Sequence, residues 1–307
     1  MSRADIEERV LALLQERGPL TGGDIRDALP TEHPFEQWRT CVLSSQMVTQ
    51  RVGTRYLRLD EKVEGYARLS PSILREFLTY TIVGSPDDPG AMEAATEALA
   101  ASIRGISAAK HKLAARVVEE AVAKLPDETA TDDVLAVLVA GDLVFEMAHQ
   151  APRPEKSTGQ MVRGSDLDLV VVLDDEAPTT LEQHLDEVIY QQKYRYLINP
   201  SLREEIDYAI KRLSRVREQV EFEAFHDMVS CKIIDEALLL YGSPRLFAAA
   251  KELVRGRGIP ERLEEMRQIA LQERMEAEQR LLRAPDGLTE RADRNLFCGT
   301  EEVDEFE

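Results

Sequence analysis

Asp166 and Asp168 stand one residue apart at the start of an apolar run, in Gly164-Ser165-Asp166-Leu167-Asp168-Leu169. The residues that follow, Val170-Val171-Val172-Leu173, are β-branched and apolar, as in a strand covered on both faces. Residues i and i+2 of a strand point to the same face, so the two carboxylates sit side by side. Two like charges held that close repel each other unless a cation neutralises them. Ligation by oxygen alone suits Mg²⁺ or Mn²⁺, which keep water and phosphate oxygens in their other positions. Such ions activate an attacking hydroxyl and support a departing pyrophosphate. Gly164 and Ser165, just ahead of the acids, offer an unhindered turn for close approach of a phosphate.

Several elements must position this pair. Asp133-Val134-Leu135-Ala136-Val137-Leu138-Val139-Ala140 reads as an apolar strand ending at Gly141-Asp142, with helix-like residues from Leu143 to Gln150 behind it. A polar stretch from Ala151 to Gly164 carries Lys156 and Arg163, two cations within reach of a phosphate group. Helices are expected over roughly 180–196 and 201–217. Val220-Glu221-Phe222-Glu223-Ala224-Phe225 alternates with period two and reads as a further strand, with Glu221 or Glu223 available as a third acid. From Asp227 to about Leu282 the pattern is helical, with a break near Gly258-Ile259-Pro260.

This arrangement resembles the nucleotidyltransferase superfamily of polymerase beta-like, antibiotic-modifying and minimal antitoxin enzymes. Their motif is an apolar strand ending in Gly-Gly or Gly-Ser, a short helix, then acid-apolar-acid on the next strand and a third acid on a later one. The resemblance covers roughly residues 130–250. It implies that Asp166, Asp168 and Glu223 hold metal, with Glu221 the alternative third acid. It also implies that Gly141, Asp142, Gly164, Ser165, Lys156 and Arg163 approach the phosphates of a nucleoside triphosphate. The activity implied is Mg²⁺-dependent transfer of a nucleoside monophosphate to a hydroxyl on protein, RNA or a small molecule. Asp142 departs from the pattern, because the family has Ser or Gly there and a carboxylate repels a triphosphate. The stretch from Gly141 to Asp166 is also longer than usual. Those departures keep open a non-catalytic regulator that senses a nucleotide or docks a partner.

Residues 4–17 place Ile6, Val10, Leu13 and Leu14 on one helical stripe that Gly18-Pro19 ends. Thr21 is a plausible N-cap for a second helix, and a third runs from about Pro34 to Gln46. Val52 to Leu59 then reads as a turn and hairpin strand. Residues 1–62 thus resemble a winged helix-turn-helix, open to DNA through Arg51, Arg55 and Arg58, or to a protein partner. A helical linker is expected over 63–129, built from helices at Pro71–Val83, Gly90–Ile103 and Ser107–Leu125. C-terminal helices and an acidic tail fill 251–307. The expected fold class is α+β.

The chain has 307 residues, a net charge of −19 and 43% hydrophobic residues. That charge argues against bulk nucleic-acid binding, although a local basic patch stays open. Cys41, Cys231 and Cys298 are too scattered for a zinc site or a disulfide scaffold. No signal peptide and no apolar run of about 18 residues is present, so a cytoplasmic protein with no membrane partner is expected. A homo-oligomer is compatible with this composition.

Overall fold

A computed structural model of the chain describes residues 2–31, 33–126, 133–155, 157–284 and 291–299. The fold is α+β, and the chain divides into two compact units, residues 1–102 with 266–307 and residues 103–265. Among the described residues, no helix is long and apolar enough to cross a membrane.

In the first unit, α1 (Arg3–Arg17) buries Ile6, Val10 and Leu14, and a capping box between Ser2 and Asp5 closes its start. β1 (Leu20–Thr21) leads into α2 (Gly22–Ala28), which Thr21 caps as its sequence predicts. α3 (Pro34–Leu43) is followed by β2 (Val48–Arg51), β3 (Tyr56–Leu59), β4 (Ala67–Ser70), α4 (Ile73–Tyr80) and β5 (Thr81–Gly84). The expected helix over Pro71–Val83 therefore stops early, because Thr81-Ile82-Val83 is β-branched and pairs with both β1 and β2. The resulting antiparallel sheet has the order β1-β5-β2, while β3 pairs with β4 alone. Phe35 and Trp38 of α3 pack on Phe297, with ring centroids 5.3 and 5.5 Å from it. A buried ionic network also ties this unit together. Arg55 donates to both oxygens of Glu76 and to Glu278, while Arg274 donates to Glu278 and to the Pro71 carbonyl.

One helix, α5 (Pro89–Val122), replaces the two expected on either side of Gly105. The glycine has open space around it and does not break the helix. The second unit is built on a mixed sheet of β6 (Leu135–Val139), β9 (Leu167–Leu173), β10 (Ile206–Arg212) and β11 (Leu238–Gly242), ordered β10-β9-β6-β11. β7 (Pro152–Pro154) and β8 (Met161–Arg163) form a separate hairpin in the polar stretch between Gly141 and Gly164. α6 (Thr179–Ile198) crosses between β9 and β10, the connection that a parallel pair requires. Leu167, Leu169, Val171 and Leu173 face the core formed with Ala114, Val117 and Val118 of α5 and Leu181 and Leu185 of α6. The alternate residues Asp168, Val170 and Val172 face the other side. There α7 (Leu213–Gln219) packs on β10, and α9 (Pro244–Arg255) packs on β6 and β9. α8 (Phe225–Glu236), α10 (Ile259–Arg283) and α11 (Arg291–Phe297) complete the elements.

Three sequence expectations in this unit are corrected. The helix expected over 201–217 is β10 followed by α7. Ile206, Tyr208 and Ile210 pack toward the core in alternation with Asp207, Ala209 and Lys211, and parallel pairing with β9 overrides the helical propensity of the charged residues. The strand expected at Val220–Phe225 is a turn between α7 and α8. Val220 and Phe222 are both buried there, and Phe222 has a positive φ of 58°. Leu143 to Gln150 holds only a single 3₁₀ turn, Gly141–Leu143. Its buried backbone bonds to side chains of other segments instead, with the Ala148 N–H on Ser107 Oγ and the His149 N–H on Ser165 Oγ.

Candidate metal centre

Asp168 is the second residue of the run in which β9 pairs with β10, and the residue opposite it in register is Asp207. Parity places Asp166, Asp168 and Asp207 on one edge of the sheet. Each offers a carboxylate oxygen, and the three oxygens lie within 4.8 Å of one another. The acid that joins Asp166 and Asp168 in this cluster is Asp207, not Glu221 or Glu223. Glu221 and Glu223 are exposed in the turn between α7 and α8, and Glu221 pairs with Arg257 at 2.6 Å. Among the described residues, Asp166, Asp168 and Asp207 are the one carboxylate cluster with this spacing.

The glycines on either side of the cluster are required by close approach. Gly141 has a φ of 69°, and a Cβ there would lie 2.0 Å from Oδ2 of Asp168. The end of β6 is thereby pressed against the Asp168 carboxylate, aided by a hydrogen bond from the Ala140 N–H to the Asp168 carbonyl at 3.0 Å. Gly164 has a φ of 64°, and its Cβ would lie 1.9 Å from the His149 carbonyl oxygen. Ser165 is buried and its hydroxyl donates to Asp142. Asp142 is therefore engaged in holding the turn before Asp166 rather than in capping a helix. Glu236, at the end of α8, accepts from the Gly141 N–H at 3.4 Å and pairs with Lys232. Burial pushes the Glu236 carboxyl above its usual range, and Lys232 only partly offsets that.

Three cations that the sequence did not single out hold the acids. Arg153, on β7, donates through Nε to the Gly164 carbonyl at 2.8 Å. Its terminal nitrogen lies 2.8 Å from Glu205 and 3.5 Å from Asp166. Lys193 of α6 donates to Asp207 at 2.8 Å. Burial works to lower the Lys193 pKa, but the bond to Asp207 and the surrounding acids outweigh it and raise it. Lys110 of α5 is buried and donates to the carbonyls of Arg163 and Ser165 and to Glu204, at 2.8, 2.6 and 2.5 Å. Burial raises the Glu205 carboxyl above its usual range, Arg153 acts against this, and Asp166 and Asp207 add to it. No spacing rule links Arg153, Lys193 or Lys110 to the acids, because each arrives from a different element.

Arg163 is exposed on β8, and its backbone carbonyl rather than its side chain is tied into the site. Lys156 lies outside the described residues. The donor set is all oxygen, which fits a hard divalent cation such as Mg²⁺ or Mn²⁺. Arg153 and Lys193 compensate only part of the charge of Asp166, Asp168, Asp207 and Glu205, so the cluster stays electronegative. Comparison with known proteins finds no matching family model, curated sequence or solved structure. The functional reading therefore rests on this geometry.

Proposed function

We propose that Asp166, Asp168 and Asp207 hold a divalent cation, and that the protein transfers a nucleoside monophosphate from a nucleoside triphosphate to a hydroxyl acceptor. The observation that carries the reading is the register of β9 and β10, which sets Asp207 opposite Asp168 and beside Asp166. When bound, Mg²⁺ or Mn²⁺ supplies charge stabilisation to the phosphates and acidifies the attacking hydroxyl. The chain's own residues position and exclude. Gly141 and Gly164 leave backbone free of Cβ on both sides of the acids, where a triphosphate can approach. The Asp142–Ser165 bond reduces the free carboxylate surface of the phosphate loop. Asp207, with the largest exposure of the three, is placed to polarise an acceptor hydroxyl.

The test is incubation with each labelled nucleoside triphosphate and Mg²⁺ or Mn²⁺, comparing the wild type with Asp207→Asn and Glu223→Gln. We expect Asp207→Asn to lower transfer by about 100-fold or more, because it removes one of the three charges that hold the cation and stabilise the transition state. Glu223→Gln is expected to leave the rate unchanged. Equal activity in Asp207→Asn and the wild type would sink the reading.

A second reading, a nucleotide-sensing regulator without turnover, is favoured by Arg153 and Lys193, which already pair with two of the three acids. Nucleotide binding with no label transferred would support it. The N-terminal unit supports a winged-helix reading through its helices α1 to α3 and its sheet order β1-β5-β2. Within that reading, a protein partner has more support than DNA. Recognition through α3 needs an exposed basic helix, whereas Arg39 is buried and Val42 and Leu43 are the exposed residues. The three free thiols suit the reducing cytoplasm expected from the sequence.

A further inference from the structure

α5 carries a feature that the metal centre does not use. Residues 98–118 contain Arg104, Lys110, His111, Lys112 and Arg116 but no Asp or Glu, in a chain whose net charge is −19. The helix buries Ser107, Lys110, Ala114, Val117 and Val118 against the second unit. Its opposite face exposes Arg104, Gly105, Ala108, Ala109, Lys112 and Arg116. The cations there are separated only by small side chains, so a polyanion can approach the helix surface closely. Among the described residues, Arg104, Lys112 and Arg116 have no ion pair, whereas Lys193, Arg195, Arg212, Arg217 and Lys232 of the same unit each pair with an acid.

Lys112 and Arg116 also line a cleft of about 220 Å³ with Lys110, Leu113, Gln150 and Glu204. Glu204 is the one carboxylate among those residues, and Lys110 holds it at 2.5 Å, so the cleft keeps a net positive charge. Arg163 sits near enough for its charge to act on Glu204. Lys110 connects this cleft to the acidic cluster, because the same ammonium binds the carbonyl of Ser165, the residue before Asp166. Lys112 and Arg116 lie one helical turn apart, about 6 Å along the axis. Arg104 lies about 12 Å further toward the helix start. The three cations wind partly around the exposed face, and Lys112 and Arg116, nearest each other, suit successive phosphates of a chain better than one isolated anion.

We infer that the exposed face of α5 and its cleft bind the sugar-phosphate backbone of a polynucleotide strand. Its acceptor role rests on the transfer reading above; its binding does not. Lys110, which lines the same cleft, also holds the Ser165 carbonyl beside Asp166, so the cleft adjoins the turn that leads to the acidic cluster. The overall negative charge of the molecule keeps such binding local and strongly dependent on salt.

The test is fluorescence anisotropy of a short labelled single-stranded RNA, and of the same sequence as DNA, titrated with the full chain at low salt in chelator and without nucleotide. The wild type is compared with Lys112→Ala/Arg116→Ala, the charge reversal Lys112→Glu/Arg116→Glu, and Asp168→Asn. Thermal melts check that each variant is folded. We expect the double alanine variant to bind about tenfold more weakly, with its salt slope reduced by about 1.4 for two lost phosphate contacts on a single strand. Charge reversal is expected to weaken binding further, and Asp168→Asn to bind as the wild type does. No binding by the wild type at micromolar protein, or equal affinity in the folded alanine variant, overturns the inference. So does complete displacement of the strand by an equimolar amount of inorganic pyrophosphate, which marks a small-anion site. Because the readout needs neither metal nor transfer, its failure leaves the metal-centre reading standing. Loss of transfer in Asp168→Asn with binding retained separates the two in the other direction.

Discussion

Gly141 is, with Gly164, one of the two most tightly constrained positions in the candidate site. Its backbone is in the left-handed region, and any Cβ would fall within bonding range of the Asp168 carboxylate. Gly141→Ala must therefore push Asp168 away from Asp166 and Asp207. We expect Mn²⁺ affinity to fall by about tenfold or more, as when the support of a metal ligand is disturbed. Titration of Mn²⁺ followed by paramagnetic resonance measures this, and an unchanged affinity would show that Asp168 is not a ligand. The Asp166–Asp168 spacing was readable from the sequence because a strand alternates faces whatever its neighbours are. Asp207 was not readable, because its place beside Asp168 depends on the register of a strand that begins after the long connection through α6. Arg153 and Lys193 share that difficulty, since charged residues in a loop and on a helix face look alike whether or not they meet an acid.

At the scale of elements, two supports around the acids can be tested apart from any activity. α5 is joined to the Gly164–Ser165 turn by Lys110, whose removal strands a buried carboxylate. Lys110→Met should destabilise the protein by about 3–5 kcal/mol, the usual cost of breaking a buried pair from one side. Urea denaturation at neutral pH measures the loss. The β7–β8 hairpin depends instead on Glu155. Burial acts to raise that carboxyl, but hydrogen bonds from the backbone and hydroxyls of Ser157 and Thr158 outweigh it and bring it down to about 2. A folded pKa below the unfolded value of 4.5 means stabilisation that is present above 4.5 and lost as pH falls toward about 2. Amide protection in the hairpin, corrected for intrinsic exchange, should therefore fall through that window, and Glu155→Gln should remove that fall. An equal pH dependence in the variant would exclude Glu155 as its source. The hairpin was hidden in the sequence because its strands are three residues each, and one of them begins and ends in proline. The helix expected after Leu143 failed for a related reason, because its N–H groups find Ser107 and Ser165, which are distant in sequence.

Across the whole molecule, the net charge of −19 makes any cation weakly stabilising, so a specific site must be separated from general screening. A ligand that binds only the folded state adds RT ln(1 + [L]/Kd), about 2.7 kcal/mol at a hundredfold excess over Kd. Mg²⁺ or Mn²⁺ should therefore raise the melting temperature beyond what NaCl of equal ionic strength does. The excess should vanish in Asp166→Asn/Asp207→Asn, and an excess retained there would place the cation elsewhere. The sequence by itself determined the α+β class, the central apolar strand with its paired aspartates, the stripe of α1 and the cap of α2. These follow from local periodicity and local hydrogen bonding, which neighbouring residues alone specify. Only the tertiary structure decided that β5 and β10 are strands, that Asp207 lies beside Asp166 and Asp168, and that Asp142 restrains Ser165. It also decided that the uncompensated cations of α5 face outward beside the same turn. Each of these depends on which distant segment pairs with which, and pairing is set by burial of the whole sheet rather than by the spacing of residues along the chain.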